Sequence, residues 1–175
     1  MIEKHSPEYF GNKAKENFKA GYNCAQALVS AFADEEFFVK SGLTERSAVI
    51  ALSGFGGGMG KLREVCGAVS GMFFVANLIT GYYPEDDKKA WGQLKQKNYE
   101  VIQKLAKDFS DQNGSIICRE LLGLTKKLDS KEIPQGSLAG SEAPHPEART
   151  ESYYKKRPCA ELCQMAAEIL ARELL

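Results

Sequence analysis

The chain has 175 residues, enough to bury one core of ordinary size without requiring a second domain. Its 23 basic and 23 acidic side chains cancel, leaving no net field to attract nucleic acid or an anionic membrane, so a small-molecule or protein role is expected. Met1 to Pro7 lack the apolar run of a secretory signal, and the longest apolar stretch, Gly67 to Ile79, is shorter than a membrane span. A cytoplasmic location without membrane insertion is expected.

Ser6, Pro7 and Glu8 form a helix start, and Tyr9, Phe10, Ala14 and Phe18 then recur on one face, which predicts a helix from about Pro7 to Ala20. Asn23 caps a second helix that carries Cys24, Ala27, Leu28, Ala31 and Phe32 and ends before Gly42. Thr44 opens a third, through Leu52, which the glycine run Gly54 to Gly60 terminates. A strongly apolar helix is predicted from about Val65 to Thr80. A long charged one follows from Tyr82 to about Ser110, with Trp91, Leu94, Val101, Ile102, Leu105 and Phe109 as its inward stripe.

Asn113, Gly114 and Ser115 break that helix ahead of a short one, Ile116 to Leu122, stopped by Gly123. Residues 125–157 are rich in Ser, Gly, Pro and charge and read as an extended surface loop. Pro158 starts a terminal helix with Leu162, Met165, Ala166, Ile169, Leu170 and Leu174 on one stripe. With no repeat and no β alternation, the expected class is all-α: one domain, 1–175, a multi-helix bundle of about six or seven helices with a long irregular loop before the last.

Five cysteines without an export signal point to metal binding, redox chemistry or packing rather than structural disulfides. Four of them, Cys24, Cys66, Cys118 and Cys159, fall in the first turn of four different predicted helices, where unpaired N–H groups and the helix dipole favour a thiolate. A single cysteine is most simply a small buried hydrophobe; four at equivalent positions favour a shared site. Cys159-Ala160-Glu161-Leu162-Cys163 spans one helical turn, so the two thiols could share a face, but Cys163 also continues the apolar stripe of the last helix and is assigned to the core. The separations exclude zinc-finger knuckles, although not zinc itself.

The glycine run lacks the preceding strand and the Lys-Ser/Thr ending of a phosphate loop. Gly56, Gly57, Gly58 and Gly67 are instead expected to let backbone approach the cysteine site and a bound group, while Gly67 and Gly71 equally suit close helix packing. His5 and His145 sit in polar surroundings and are not candidate ligands; Arg119 next to Cys118, Arg63 before Cys66, and Lys156 and Arg157 before Cys159 could favour a thiolate or a substrate anion, although surface charge is the commoner explanation.

Asn23-Cys24-Ala25-Gln26-Ala27, Gly54 to Gly60, Cys66-Gly67-Ala68-Val69-Ser70-Gly71, Cys118 to Gly123 and Cys159 ahead of Ala166 to Leu170 together resemble the C_GCAxxG_C_C family of redox-active proteins. The resemblance implies four characteristic cysteines, at Cys24, Cys66, Cys118 and Cys159, and a redox role. It also implies kinship with a domain of a split-Soret type cytochrome, for which an iron–sulfur cluster has been proposed, and an association with transporters.

Four thiolates match the ligand demand of a 2Fe–2S or 4Fe–4S cluster, so the leading expectation is electron transfer or redox sensing through a cysteine-ligated iron–sulfur or other metal centre. One alternative is a metal-free thiol–disulfide oxidoreductase; another is a non-catalytic metal- or anion-binding module associated with a transporter. An electron-transfer or thiol partner protein is implied. A homodimer is expected because Met72, Phe73, Phe74 and Val75 clothe the whole helix circumference in apolar side chains.

Overall fold

A computed structural model describes residues 5–124, 145 and 147–175. The described chain is all-α: α1 (Pro7–Lys19), α2 (Cys24–Ala31), α3 (Glu36–Lys40), α4 (Glu45–Ala51), α5 (Gly56–Met59), α6 (Gly67–Thr80), α7 (Trp91–Asn113), α8 (Cys118–Leu121), α9 (Glu151–Lys156) and α10 (Cys159–Leu174). The ten helices exceed the six or seven expected because several are single turns.

The long elements start where side chains cap them. Ser6 accepts from the Tyr9 N–H at 3.1 Å to begin α1, and Thr44 accepts from the Ser47 N–H at 3.1 Å to begin α4. α10 packs along α1 and against α2, α6 and α7. Its buried residues, Leu162, Cys163, Ala166, Ile169 and Leu170, join Phe10, Phe18, Leu28, Val69 and Met72 in the core. Phe10 and Phe32 stack with ring centroids 4.3 Å apart, fixing α1 against the end of α2.

Three expectations change. The single helix anticipated from Cys24 towards Gly42 divides after Ala31. The chain breaks at Phe32 to Glu35, and Phe32 and Phe38 on either side of the break are both buried. The charged helix begins at Trp91 rather than Tyr82: the Asp87 carboxylate accepts from the N–H groups of Lys89 and Ala90, both at 3.0 Å, and so holds a turn in place of a helix. Trp91 is consequently 51% exposed and leaves the inward stripe, whereas Leu105 and Phe109 are buried.

Of the expected surface loop, residues 125–144 and 146 lie outside the described residues. Within the remainder, Glu151–Lys156 is helical, capped by Thr150 and charged favourably at both ends. No strand forms among the described residues, which contain one isolated antiparallel bridge, Val65 to Ile117. None of the described helices is long and apolar enough to cross a membrane.

Candidate functional site

The four helix-start cysteines are each set by local backbone chemistry. Cys24 is the first residue of α2 because Asn23 closes a capping box: its Oδ1 accepts from the N–H groups of Ala25 and Gln26, and the Gln26 side chain accepts from the Asn23 N–H. The Asn23 amide also donates to the carbonyls of Leu52 and Ser53, both at 3.1 Å, tying the start of α2 to the glycine-rich segment. Cys66 caps α6, and Cys118 and Cys159 open α8 and α10.

The bridge between Val65 and Ile117 sets Cys66 beside Cys118. The Cys66 N–H donates to Ile116 O at 2.8 Å, the Cys118 N–H to Glu64 O at 2.6 Å and the Arg119 N–H to Arg63 O at 3.1 Å. Glycines make the remaining approaches possible. A Cβ on Gly67 would lie 2.8 Å from the Phe55 carbonyl and 2.9 Å from the Cys24 Cβ, and one on Gly58 would lie 2.6 Å from the Cys118 Cβ. Gly57 and Gly58 also hold φ of 65° and 70°, a conformation costly for other residues.

These constraints place Cys24, Cys66, Cys118 and Cys159 around one cavity of about 260 Å³, with Gly56, Gly57 and Gly67 in its wall and Gly58 buried behind Cys118. Cys163 does not line it; it is fully buried in the core, its Sγ 3.7 Å from the Cys24 carbonyl oxygen. Its thiol nevertheless makes hydrogen-bonding contact with that of Cys24, which is also in contact with Cys159. His5 pairs with Glu35 at 2.9 Å, and neither histidine reaches the cavity.

The wall carries charge that the sequence left on the surface. Arg63 is only 4% exposed and its Nη1 lies 3.9 Å from the Cys118 Sγ. Arg157 pairs with Glu147 at 2.5 Å and packs over the Tyr153 ring. Arg149 donates to the carbonyls of Phe18 and Tyr22 and stacks over the Phe18 ring at 4.2 Å. With Lys61, these give four cations against one carboxylate, Glu147, in the cavity lining. Arg119 instead pairs with Glu64 at 2.8 Å, and Lys156 is exposed.

Tyr153, Arg149 and Glu147 were not legible as site residues. They belong to the segment taken for a loop, and only the cap pattern of Thr150 to Lys156 signalled order there.

Helix starts were expected to lower the cysteine pKa values, but burial prevails. Desolvation pushes Cys66 up to about 12 although the N–H groups of Ala68 and Val69 oppose it. Cys118 is raised by burial against the opposing charge of Arg63. Cys159 is raised by its hydrogen bond with Cys24 and by burial, against Arg157 and the Tyr153 hydroxyl. At Cys24 the contact with Cys159 lowers the pKa, but the contact with Cys163 and burial outweigh it. Without a bound cation the site is therefore a cluster of neutral thiols.

Among the described residues no group of three or more His, Cys, Asp or Glu is arranged to hold a metal ion. The four thiols line one cavity whose wall also carries four cations.

Fold and site together define an all-α protein with a buried multi-cysteine centre. The chain belongs to the C_GCAxxG_C_C family, described as "Putative redox-active protein (C_GCAxxG_C_C)", whose model matches residues 22–173. No curated protein and no solved structure matches it.

Proposed function

We propose that this redox-active protein exchanges electrons through an iron–sulfur cluster ligated by Cys24, Cys66, Cys118 and Cys159, as an electron carrier or redox sensor. The observation that carries this reading is the convergence of four cysteines from four different helices on one cavity of about 260 Å³. A cluster bound there would supply one-electron chemistry.

The chain's own residues would hold and tune it. Arg63, Arg149, Arg157 and Lys61 offset the charge of four thiolates, Gly57 and Gly67 leave room in the wall, and Leu121, Leu122 and Leu162 limit water. Because the thiols are held neutral, loading must displace their protons, so apparent affinity should fall steeply as pH is lowered. Anaerobic reconstitution with iron and sulfide tests the reading. Charge-transfer absorption with stoichiometric iron is expected; a colourless, iron-free protein would refute it.

A second reading, a metal-free thiol–disulfide protein, is favoured by one specific contact, that between the Cys24 and Cys159 thiols. Mild oxidation of metal-free protein should then remove two hydrogens; unreactive thiols would exclude it.

A further inference from the structure

Cys163 is the one cysteine that does not line the cavity, yet it lies directly against one that does: its Sγ is 3.7 Å from the Cys24 carbonyl oxygen. It follows Cys159 by one turn of α10, so both thiols project from the same side of the helix, roughly 5–6 Å apart at Cβ. Facing them is Cys24, whose thiol contacts both. The three differ sharply in access. Cys159 is the only one of the five that is not buried, Cys24 lies at the cavity wall, and Cys163 is 0% exposed and absent from the lining.

We propose that Cys163 is a resolving thiol: in the metal-free protein, oxidation entering at Cys159 passes through Cys24 and comes to rest as a buried Cys24–Cys163 disulfide. The proposal rests on the thiol–disulfide reading above and not on the cluster.

With a peroxide as oxidant, the steps balance. The Cys159 sulfur attacks the peroxide, the O–O bond breaks, and the sulfur is oxidised to a sulfenic acid while one oxygen leaves as water. The Cys24 sulfur then attacks that of Cys159. An S–S bond forms, the S–O bond breaks, and hydroxide leaves as a second water with the Cys24 proton. Finally Cys163 attacks Cys24, forming the Cys24–Cys163 bond and breaking Cys24–Cys159. Its proton passes to Cys159, which leaves as a neutral thiol. Two thiols and one peroxide give one disulfide and two waters, and Cys159, the most accessible of the three, is regenerated as a thiol.

Geometry supports this direction of travel. A Cys24–Cys159 bond leaves an oxidised sulfur at the cavity, open to reduction by external thiols, whereas Cys163 belongs to the hydrophobic core and has no solvent access.

The test uses the metal-free full chain treated with one equivalent of hydrogen peroxide, quenched with maleimide and mapped by peptide mass spectrometry. A loss of two hydrogens, a Cys24–Cys163 bond and a maleimide-labelled Cys159 are expected. In Cys163→Val the relay should stop one step earlier, with a Cys24–Cys159 bond and loss of maleimide labelling at Cys159. A wild-type product that remains Cys24–Cys159 would overturn the relay while leaving the thiol–disulfide reading intact. No disulfide at all, or one between Cys66 and Cys118, would overturn the relay, the former together with the reading on which it rests. The wild-type map does not depend on how the variant folds.

Discussion

Cys66 displays most directly the competition that sets the chemistry of each site residue. As the cap of α6 it faces the N–H groups of Ala68 and Val69, yet its burial raises the thiol from 9.0 to about 12. The folded chain therefore keeps a proton that the unfolded chain releases at lower pH. The resulting stability is fully present below about pH 9 and is lost as pH rises towards 12. Denaturant midpoints of metal-free wild type and Cys66→Ser, compared at about pH 8 and about pH 10.5, should show a smaller alkaline loss in the variant. Equal losses would mean that this thiol is not shielded.

Glycines at the site are predictable with the same specificity. Gly67→Ala places a methyl group 2.8 Å from the Phe55 carbonyl and 2.9 Å from the Cys24 Cβ, which should cost about 1–3 kcal/mol by overpacking and displace Cys24 from the cavity. Gly92→Ala in α7 meets nothing within 4 Å and should stabilise by up to about 1 kcal/mol. Thermal melts of the pair check both signs.

At the scale of elements, the helix starts were legible because capping chemistry is local. Ser6, Asn23 and Thr44 each announce an element that forms. Two boundaries differ from the pattern: a local turn held by Asp87 delays α7, and α2 ends ahead of Phe32, which stacks on Phe10. The hydrophobic pattern alone also cannot show that Val65 pairs with Ile117, since these residues lie 52 apart in the chain.

Asn23 joins the local and tertiary levels. Its side chain accepts from two N–H groups of α2 and donates to two carbonyls beyond α4. Asn23→Ala should thus cost about 2–3 kcal/mol, cap and tether together, against about 1 kcal/mol for Ser6→Ala, whose side chain makes a cap bond alone. Matched denaturation curves measure the difference. Equal costs would show that the tether to Leu52 and Ser53 adds nothing.

For the molecule as a whole, the apolar girth of α6 is met largely within one protomer. Met72 and Val75 are fully buried and Phe73 and Phe74 pack partly buried against the same core. The reason the sequence offers for self-association is thus absorbed by the fold, and light scattering at micromolar concentration decides the oligomeric state. What the sequence conveyed about the site was its thiols, because four cysteines at helix starts form a pattern. Its cationic wall was legible in part: Arg63 and Arg157 stand beside cysteines in the chain, but only the fold shows that Arg63 is buried and that Arg149 and Lys61 join them.

Four cysteines, Cys24, Cys66, Cys118 and Cys159, are proposed to ligate one cluster, with Cys163 outside the ligand set. Cluster loading across a cysteine series, read as iron per protein and charge-transfer absorption after anaerobic reconstitution, tests that claim most directly. Serine at Cys24, Cys66, Cys118 or Cys159 should each remove most of the signal, since three ligands hold a cluster poorly. Cys163→Val, close in volume and set in an apolar environment, should retain the signal and cost less than about 1.5 kcal/mol. Full signal in all four serine variants, or equal loss in Cys163→Val, would contradict the account.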